Sequence, residues 1–342
     1  MNHKDLLAWY ENNHRELPFR KNREPYRIWI SEIMAQQTRI EAMMPAYEKF
    51  IALFPDVRAL AQGDDDVLMK AWQGLGYYSR ARNLKKAAQV CVDCYDGQLP
   101  EQYGELKKLP GIGEYTAGAI ASIAHGERIP AVDGNVIRVY ARHYGLDDDF
   151  SNTKNKKQLT SLVRADLPDH EHMPFWNQAL MELGALVCTP KIARCEECPL
   201  RITCQSAADE AWKTRPAPKK KSERRIEKKH VVVLASIDEN QKIWLHVRRR
   251  PDSGLLASLY EFDDRKPQTF LKSQPLGDYR HVFSHVEWLM SGELVLCSSH
   301  EGFLPAEEIE RDCSIPSAFL PFYQRAMEFL KEEQETEAVS AC

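Results

Sequence analysis

No uninterrupted apolar stretch in these 342 residues reaches the roughly 20 residues that a membrane-crossing helix needs. The opening MNHKDLLAWYENNHREL reads as a short amphipathic helix and holds no apolar core of a secretory signal, so a cytoplasmic setting away from membranes is expected. Cysteine is sparse outside one stretch. The chain has nine, an odd number unevenly spread, which argues against a disulfide framework and for a reducing compartment with thiols or a metal. Internal repeats are absent. So are alternating β-branched runs before residue 213, which leaves helices as the fabric of that part.

What is present divides the chain. Hydrophobic residues make up 43%, enough for ordinary cores, and the length suggests two domains. DLLAWYENN, residues 28–54, VLMKAW, RARNLKKAAQVCVDCY and VIRVYARHYG place apolar side chains at three- and four-residue steps. Residues 213–229, KTRPAPKKKSERRIEKK, then hold nine Lys or Arg against two Glu, a local +7 inside an overall −4. With two prolines this reads as an extended basic linker, either a phosphate contact or a solvated tether. Beyond it HVVVLASI, KIWLHVRRR, LYEF and HVEWLMSGELVLC are strand-like, with DEN and SG as turns, and helical text returns in PAEEIERD and PSAFLPFYQRAMEFLKEE. The expected architecture is an all-α domain over 1–212, the linker over 213–229, an α+β domain over 230–332 and a disordered tail over 333–342.

Three features of the first domain carry chemistry. CTPKIARCEECPLRITC spaces Cys188, Cys195, Cys198 and Cys204 as C-x6-C-x2-C-x5-C, close enough for four thiolates to hold one zinc ion or one iron–sulfur cluster. Lys191 and Arg194, between the first two cysteines, are candidate phosphate contacts. EQYGELKKLPGIGEYTAGAIASIAHG reads as helix, tight turn, helix, with Gly111 and Gly113 in the turn. The second helix would then offer unpaired N–H groups and a positive dipole end to an anion, unless the motif is a plain helix–helix connection.

The third feature is a pair of carboxylates. IWISEIMAQQT sets Glu32 among Ile28, Trp29, Ile30, Ile33 and Met34. Either this Glu faces water, or it is kept poorly solvated to hold a proton near neutral pH. IPAVDGNVIRVYARHYG puts Asp133 just ahead of a helix, where it is an N-cap, a second functional carboxylate, or both; Asn135 can support it. One carboxyl raised in pKa and one kept ionised is the division of labour for breaking a glycosidic bond.

Together with GLGYYSRARNL and NQALMELGALVC, these motifs resemble the MutY-type adenine DNA glycosylases of the helix-hairpin-helix superfamily over most of the chain. The resemblance implies a duplex DNA substrate carrying adenine opposite 8-oxoguanine or guanine, and a [4Fe-4S] cluster on the four cysteines. It places Glu32 as the acid that protonates the adenine ring, Asp133 as stabiliser of the sugar cation and Asn135 as its support. Tyr115 stands where bifunctional relatives carry a lysine, which implies base removal with little lyase activity. Arg20, Phe19 and Gln178 match the wall of the flipped-adenine pocket; Gln37 and Tyr77 match the family's wedge residues, which would fill the gap left in the duplex, with Thr38 beside the former as a DNA contact. Ala35 departs from the usual leucine and is not assigned a wedge role. The C-terminal domain resembles a Nudix-type fold without its glutamate-rich metal helix, and Phe283, Ser284 and His285 match the family's 8-oxoguanine-reading tip. A monomer is expected. Two other readings compete: an endonuclease III-like glycosylase with lyase activity, which would want lysine at 115, and a non-catalytic DNA-binding protein on a zinc-pinned hairpin.

Overall fold

The computed structural model describes residues 1–218 and 223–340, with side chains to residue 334; Lys219–Ser222 of the expected linker and Ala341–Cys342 lie outside the described residues. The chain forms two compact units, Met1–Gln62 with Arg82–Lys220, and Gly63–Ala81 with Lys221–Cys342. The helices before the sheet are α1 (His3–Asn13), α2 (Pro25–Ala35), α3 (Ile40–Leu53), α4 (Val57–Gln62), α5 (Asp65–Ala71), α6 (Ser79–Cys94), α7 (Tyr103–Leu106), α8 (Glu114–His125), α9 (Gly134–His143), α10 (Thr153–Ala165), α11 (Met173–Leu186) and α12 (Gln205–Ala208).

In the first unit α11 is the central helix, with α1, α8 and α9 packed on it and α2 against α8. Its sequence explains the place: Trp176, Ala179, Leu180 and Leu183 are fully buried, too many faces for a surface helix. Helix α2 starts on Pro25, whose fixed φ suits the first turn, and buries Ile28, Trp29, Ile30, Ile33 and Met34 almost all round. Gly118 allows α8 to come close, because a Cβ there would sit 2.6 Å from the Pro130 carbonyl oxygen. Gly126 ends α8 in the left-handed conformation that a C-terminal cap requires.

The second unit holds a five-stranded mixed sheet, ordered β5-β6-β1-β2-β7, built from β1 (Arg225–Ile237), β2 (Ile243–Leu245), β5 (Lys272–Val282), β6 (Val286–Leu296) and β7 (Leu304–Pro305); β3 (Arg248–Arg249) and β4 (Tyr260–Glu261) form a separate ribbon. Strands β1 and β6 pair in parallel and the rest antiparallel. Val231, Val233 and Ala235 alternate inward from β1, and Trp288, Met290 and Leu294 from β6. Over them lie α13 (Ala306–Asp312) and α14 (Leu320–Ser340), the latter contributing Phe322, Tyr323, Ala326 and Leu330.

Four expectations change. Strand β1 begins at Arg225, so the last five residues of the expected linker are sheet, paired with Val286–Met290; their charge hid the strand because this end of it is exposed on both faces. Ser291 and Gly292 do not turn but continue β6. Glycine is needed at 292 because a Cβ would strike the Phe322 ring. Helix α14 runs to Ser340, through most of the tail expected to be disordered, since EEQETEA is rich in helix formers. Finally, Gly63–Ala81, expected within the all-α domain, belongs to the second unit.

Candidate active site

Glu32 projects from the middle of α2 and is half-buried. Tyr115, in the first turn of α8, donates its hydroxyl proton to Glu32 Oε2 at 2.5 Å, with the Met181 thioether of α11 at 3.8 Å as its other acceptor. Burial pushes the Glu32 carboxyl up to about 7, against the tyrosine hydrogen bond and the Arg20 charge that favour the anion; the Asp133 charge pushes in the same upward direction. The Tyr115 hydroxyl is itself driven well above its ordinary range by the same burial and by Glu32. Of the two sequence readings of Glu32, the poorly solvated one is what the fold builds.

Asp133 caps α9, accepting from the Val136 amide at 2.8 Å and from Asn135 Nδ2 at 2.7 Å. The cap reading of Asp133 is therefore what the fold shows, and the same bonds hold its carboxylate in one orientation. Burial raises its pKa too, which the simple expectation of an ionised partner omitted, but the Val136 and Asn135 donors and the Arg138 charge oppose the rise. Arg138 reaches Asn135 Oδ1 at 2.8 Å and the carbonyls of Gly184 and Cys188 at 2.7 Å each, so Asn135 is held from both sides. Gly184 must be glycine here, since its Cβ would lie 2.6 Å from Asn135 Cβ.

The wall residues differ from expectation in how they are used. Arg20 donates to Glu182 Oε2 at 2.7 Å, and Arg15 to Glu182 Oε1 at 2.6 Å. Glu182 is fully buried, and the sequence reading named neither it nor Arg15. The signal lay in NQALMELGALVC, where a glutamate on an otherwise apolar helix face demands a cation partner. Gln178 is buried and bonds the Pro174 carbonyl at 2.7 Å. Phe19 is a core residue, packed edge-on against Tyr47 at 5.4 Å.

Elsewhere in this unit, Gly111 is left-handed (φ +76°) as the turn demands, whereas Gly113 is extended and has no protein atom near its Cβ position. No side chain caps the start of α8, so its first N–H groups are open. Gln37 is exposed in a left-handed conformation, and Thr38 Oγ1 bonds the Gln36 carbonyl at 3.5 Å. Lys191 is exposed; Arg194 bonds the Leu186 carbonyl and lies 3.8 Å from Glu197. Cys188, Cys195, Cys198 and Cys204 line one small cavity with Val187, Ala193, Ala207 and Trp212, none of them in a disulfide. Among the described residues no group of three His, Cys, Asp or Glu side chains is arranged to hold a metal ion.

In the second unit Phe283, Ser284 and His285 form the tip between β5 and β6. Phe283 is half-buried, its ring 4.6 Å from His281 and 4.9 Å from Trp288, so it anchors the tip and leaves Ser284 and His285 exposed. Tyr77 is exposed and left-handed at φ +48°. No helix among the described residues is long and apolar enough to cross a membrane.

A helical unit with a hairpin, a Glu raised toward neutrality by burial and a helix-capping Asp suits the removal of a base, and residues 30–165 match the family model of the HhH-GPD superfamily base excision DNA repair proteins. The fold also matches a thermostable thymine-DNA glycosylase (27% identity, TM-score 0.54, 60% of this chain and 95% of that one) and a trapped endonuclease III–DNA intermediate (22%, TM-score 0.51, 61% and 94%), the latter as fold alone. Among curated proteins, the adenine DNA glycosylase of Buchnera aphidicola from Schizaphis graminum is 34% identical across 82% of this chain and 83% of its own. That of Homo sapiens is 40% identical across 59% of this chain and 38% of its own. The chain belongs to the adenine DNA glycosylases and is a DNA N-glycosylase.

Proposed function

We propose that this enzyme excises adenine paired with 8-oxoguanine or guanine in duplex DNA and leaves the strand intact. The observation that carries the reading is the 2.5 Å bond between Tyr115 and Glu32 beside a hydrogen-bonded Asp133, with the Glu32 carboxyl near 7. A flipped adenine enters next to Glu32. The protonated carboxyl delivers its proton to the base ring, and the C1′–N bond breaks with the electron pair going to the base. Asp133, its other lone pairs held by Val136 and Asn135, faces the cationic sugar carbon as an anion; water completes the hydrolysis. The Glu182 carboxylate, clamped by Arg15 and Arg20, orients the pocket wall near Arg20.

Without an amine at 115 no imine to the sugar can form there. Lys107 and Lys108 are engaged, the first with Glu114 at 3.6 Å and the second with Glu105 at 2.6 Å. A single-turnover incubation with an 8-oxoguanine:A duplex, split between hot alkali and no alkali, should give strand breaks only after alkali. Breaks without alkali would return lyase chemistry to the enzyme; no breaks with binding intact would remove Glu32 from the chemistry.

Gly113 and the uncapped start of α8 suit a DNA phosphate bound through backbone N–H groups, with the absence of any protein atom at its Cβ leaving room for close approach. Gln37 and Tyr77 are duplex contacts, and Lys191 a phosphate contact; Arg194, already bonded to the Leu186 carbonyl, is a weaker one. The four cysteines are the donor set for a [4Fe-4S] cluster: all are free thiols lining one cavity, though not drawn into a metal-holding arrangement in this structure, and Arg142 Nη1 donates to Cys188 Sγ at 3.3 Å, ready to balance thiolate charge. When bound, the cluster would pin this loop and its cations as a structural element. The second unit is a Nudix-like reader of the base opposite adenine, through exposed Ser284 and His285. Replacing both by alanine should lower the preference for 8-oxoguanine:A over G:A by about tenfold, read as the ratio of single-turnover rates, since each lost base contact is worth about 1–3 kcal/mol. An unchanged ratio removes the tip from recognition.

A further inference from the structure

We propose that Tyr77 is mounted on the second unit, so that reading the base opposite adenine and inserting Tyr77 into the duplex are one rigid operation. The inference rests on the roles proposed above for Tyr77 and for Ser284 with His285. Chain order places Tyr77 between α5 and α6, far from residues 283–285, yet Gly63–Ala81 belongs to the unit that carries the tip.

Two hydrogen bonds make that attachment. Lys70 Nζ donates to the Cys313 carbonyl and Gln73 Nε2 to the Ile315 carbonyl, each at 3.0 Å. Asp66 adds an ion pair with Arg249 at 3.7 Å. The receiving carbonyls lie between α13 and α14, on a segment whose Cys313 and Ile315 side chains are buried in the sheet core. In that core Phe319 lies 6.0 Å from Trp288, and Trp288 lies 4.9 Å from Phe283, the residue before Ser284. The tip and the α5 anchor are therefore tied to one close-packed core, and such cores do not deform continuously.

The other end of the mount is equally fixed. Trp72 Nε1 bonds the Gly76 carbonyl at 3.1 Å, and Arg80 bonds the carbonyls of Leu75 at 2.9 Å and Gly76 at 3.1 Å. The Arg80 guanidinium also lies over the rings of Trp72, at 5.2 Å, and Tyr77, at 5.8 Å. These contacts hold Tyr77 at φ +48° with its ring exposed. A non-glycine residue keeps that conformation only where its surroundings over-determine it. A tip seated on 8-oxoguanine thus sets where Tyr77 stands, and a poorly seated tip displaces it. Lys70 and Gln73 act as positioning residues for specificity.

The test pairs Lys70→Met with Gln73→Leu, which keep side-chain bulk and remove both donors, and compares it with Ser284→Ala/His285→Ala. Single-turnover rates on 8-oxoguanine:A and G:A duplexes should show the preference reduced about tenfold in the double variant, with the G:A rate held within about twofold. The alkaline limb set by Glu32 should not move, which separates lost positioning from a damaged active site. If the tip variant loses the preference while the Lys70/Gln73 variant keeps it, the reader stands and the mount is overturned. If the tip variant also keeps it, the reading beneath this inference fails and takes it along. A measurement on the unaltered enzyme guards against misfolding of the variant: hydrogen exchange with an uncleavable 2′-fluoro-adenosine duplex. Protection of residues 72–80 and 283–286 should rise together opposite 8-oxoguanine and together weaken opposite guanine. Protection confined to 283–286 overturns the proposal.

Discussion

Glu32→Gln should lower adenine excision by about a thousandfold while leaving DNA affinity within about threefold, because positioned proton transfer supplies about 10²–10⁴ of rate and glutamine keeps the shape of the side chain. Single-turnover kinetics and a binding titration on one duplex separate the two. In the unaltered enzyme the rate should level off just below pH 7 and fall about tenfold per unit above it, as the carboxyl held near 7 by burial loses its proton, with a separate acid limb where Asp133 takes one up. In the variant the alkaline limb disappears with the activity. A second consequence runs the other way. Glu32 titrates higher in the folded chain than unfolded, so ionising it costs folding energy. Stability is full below about pH 4.5, declines as pH rises to about 7, and stays reduced above that. Discounted for the partial exposure of the side chain, the gain from Glu32→Gln at pH 8 is about 1–3 kcal/mol, and it vanishes at pH 4. A variant that is at once more stable and inactive is the signature of a group kept for chemistry at the expense of the fold.

Much of this was legible in the chain because local chemistry wrote it. The helical period marks α2 and α9; the turn at Gly111 and Gly113 announces the hairpin that opens α8; Asp133 announces a cap and is one. Glu32 stood out as a carboxylate in an apolar run. The parallel pairing of β1 with β6 could not be read, since strand partners separated by about fifty residues are chosen by the core and not by either strand alone. Nor could the basic start of β1, whose lysines and arginines look the same in a tether as on a solvated sheet face. Phe19 and Phe283 have contacts that the sequence did not signal: their rings pack on Tyr47 and on Trp288 and His281, which holds those neighbours in place. Membership of Gly63–Ala81 in the second unit has no sequence signal, because its attachments include backbone carbonyls at Cys313 and Ile315, which any residue would supply.

Asn135 illustrates why residues that touch no substrate can be as constrained as those that do. Its amide donates to Asp133 while its oxygen accepts from Arg138, and its Cβ fills the space that Gly184 leaves. Arg138 in turn spends its other donors on carbonyls at the end of α11 and at the first cysteine. The carboxylate geometry and the start of the cysteine loop are therefore parts of one hydrogen-bonded assembly, whose members were legible singly but not as a set.

Glu182→Ala should be the most destabilising single change in the first unit, by about 3–5 kcal/mol at pH 7, because it leaves Arg15 and Arg20 without the carboxylate that neutralises them in a mostly dry site. Burial alone would raise the Glu182 pKa, but the hydrogen bonds and charges of Arg15 and Arg20 outweigh it and hold the carboxyl below the ordinary range. A depressed acid pKa contributes stability that is fully present above the unfolded value near 4.5 and is lost as pH falls through the folded one. The gap between the two proteins in chemical denaturation should accordingly be widest at neutral pH and narrow below pH 4, where the unaltered carboxyl is itself protonated. Glu182→Gln separates fold from function. It keeps the hydrogen-bond acceptor and most of the volume, so it should cost less stability, yet it leaves the Arg20 charge, which acts on Glu32, uncompensated, while Arg15 retains Glu41 at 3.4 Å. The freed Arg20 charge favours the Glu32 anion more strongly than before and should move the alkaline limb of excision to lower pH. A limb that stays at about 7 in Glu182→Gln would mean that Arg20 turns away once released, and that Glu182 serves the fold alone.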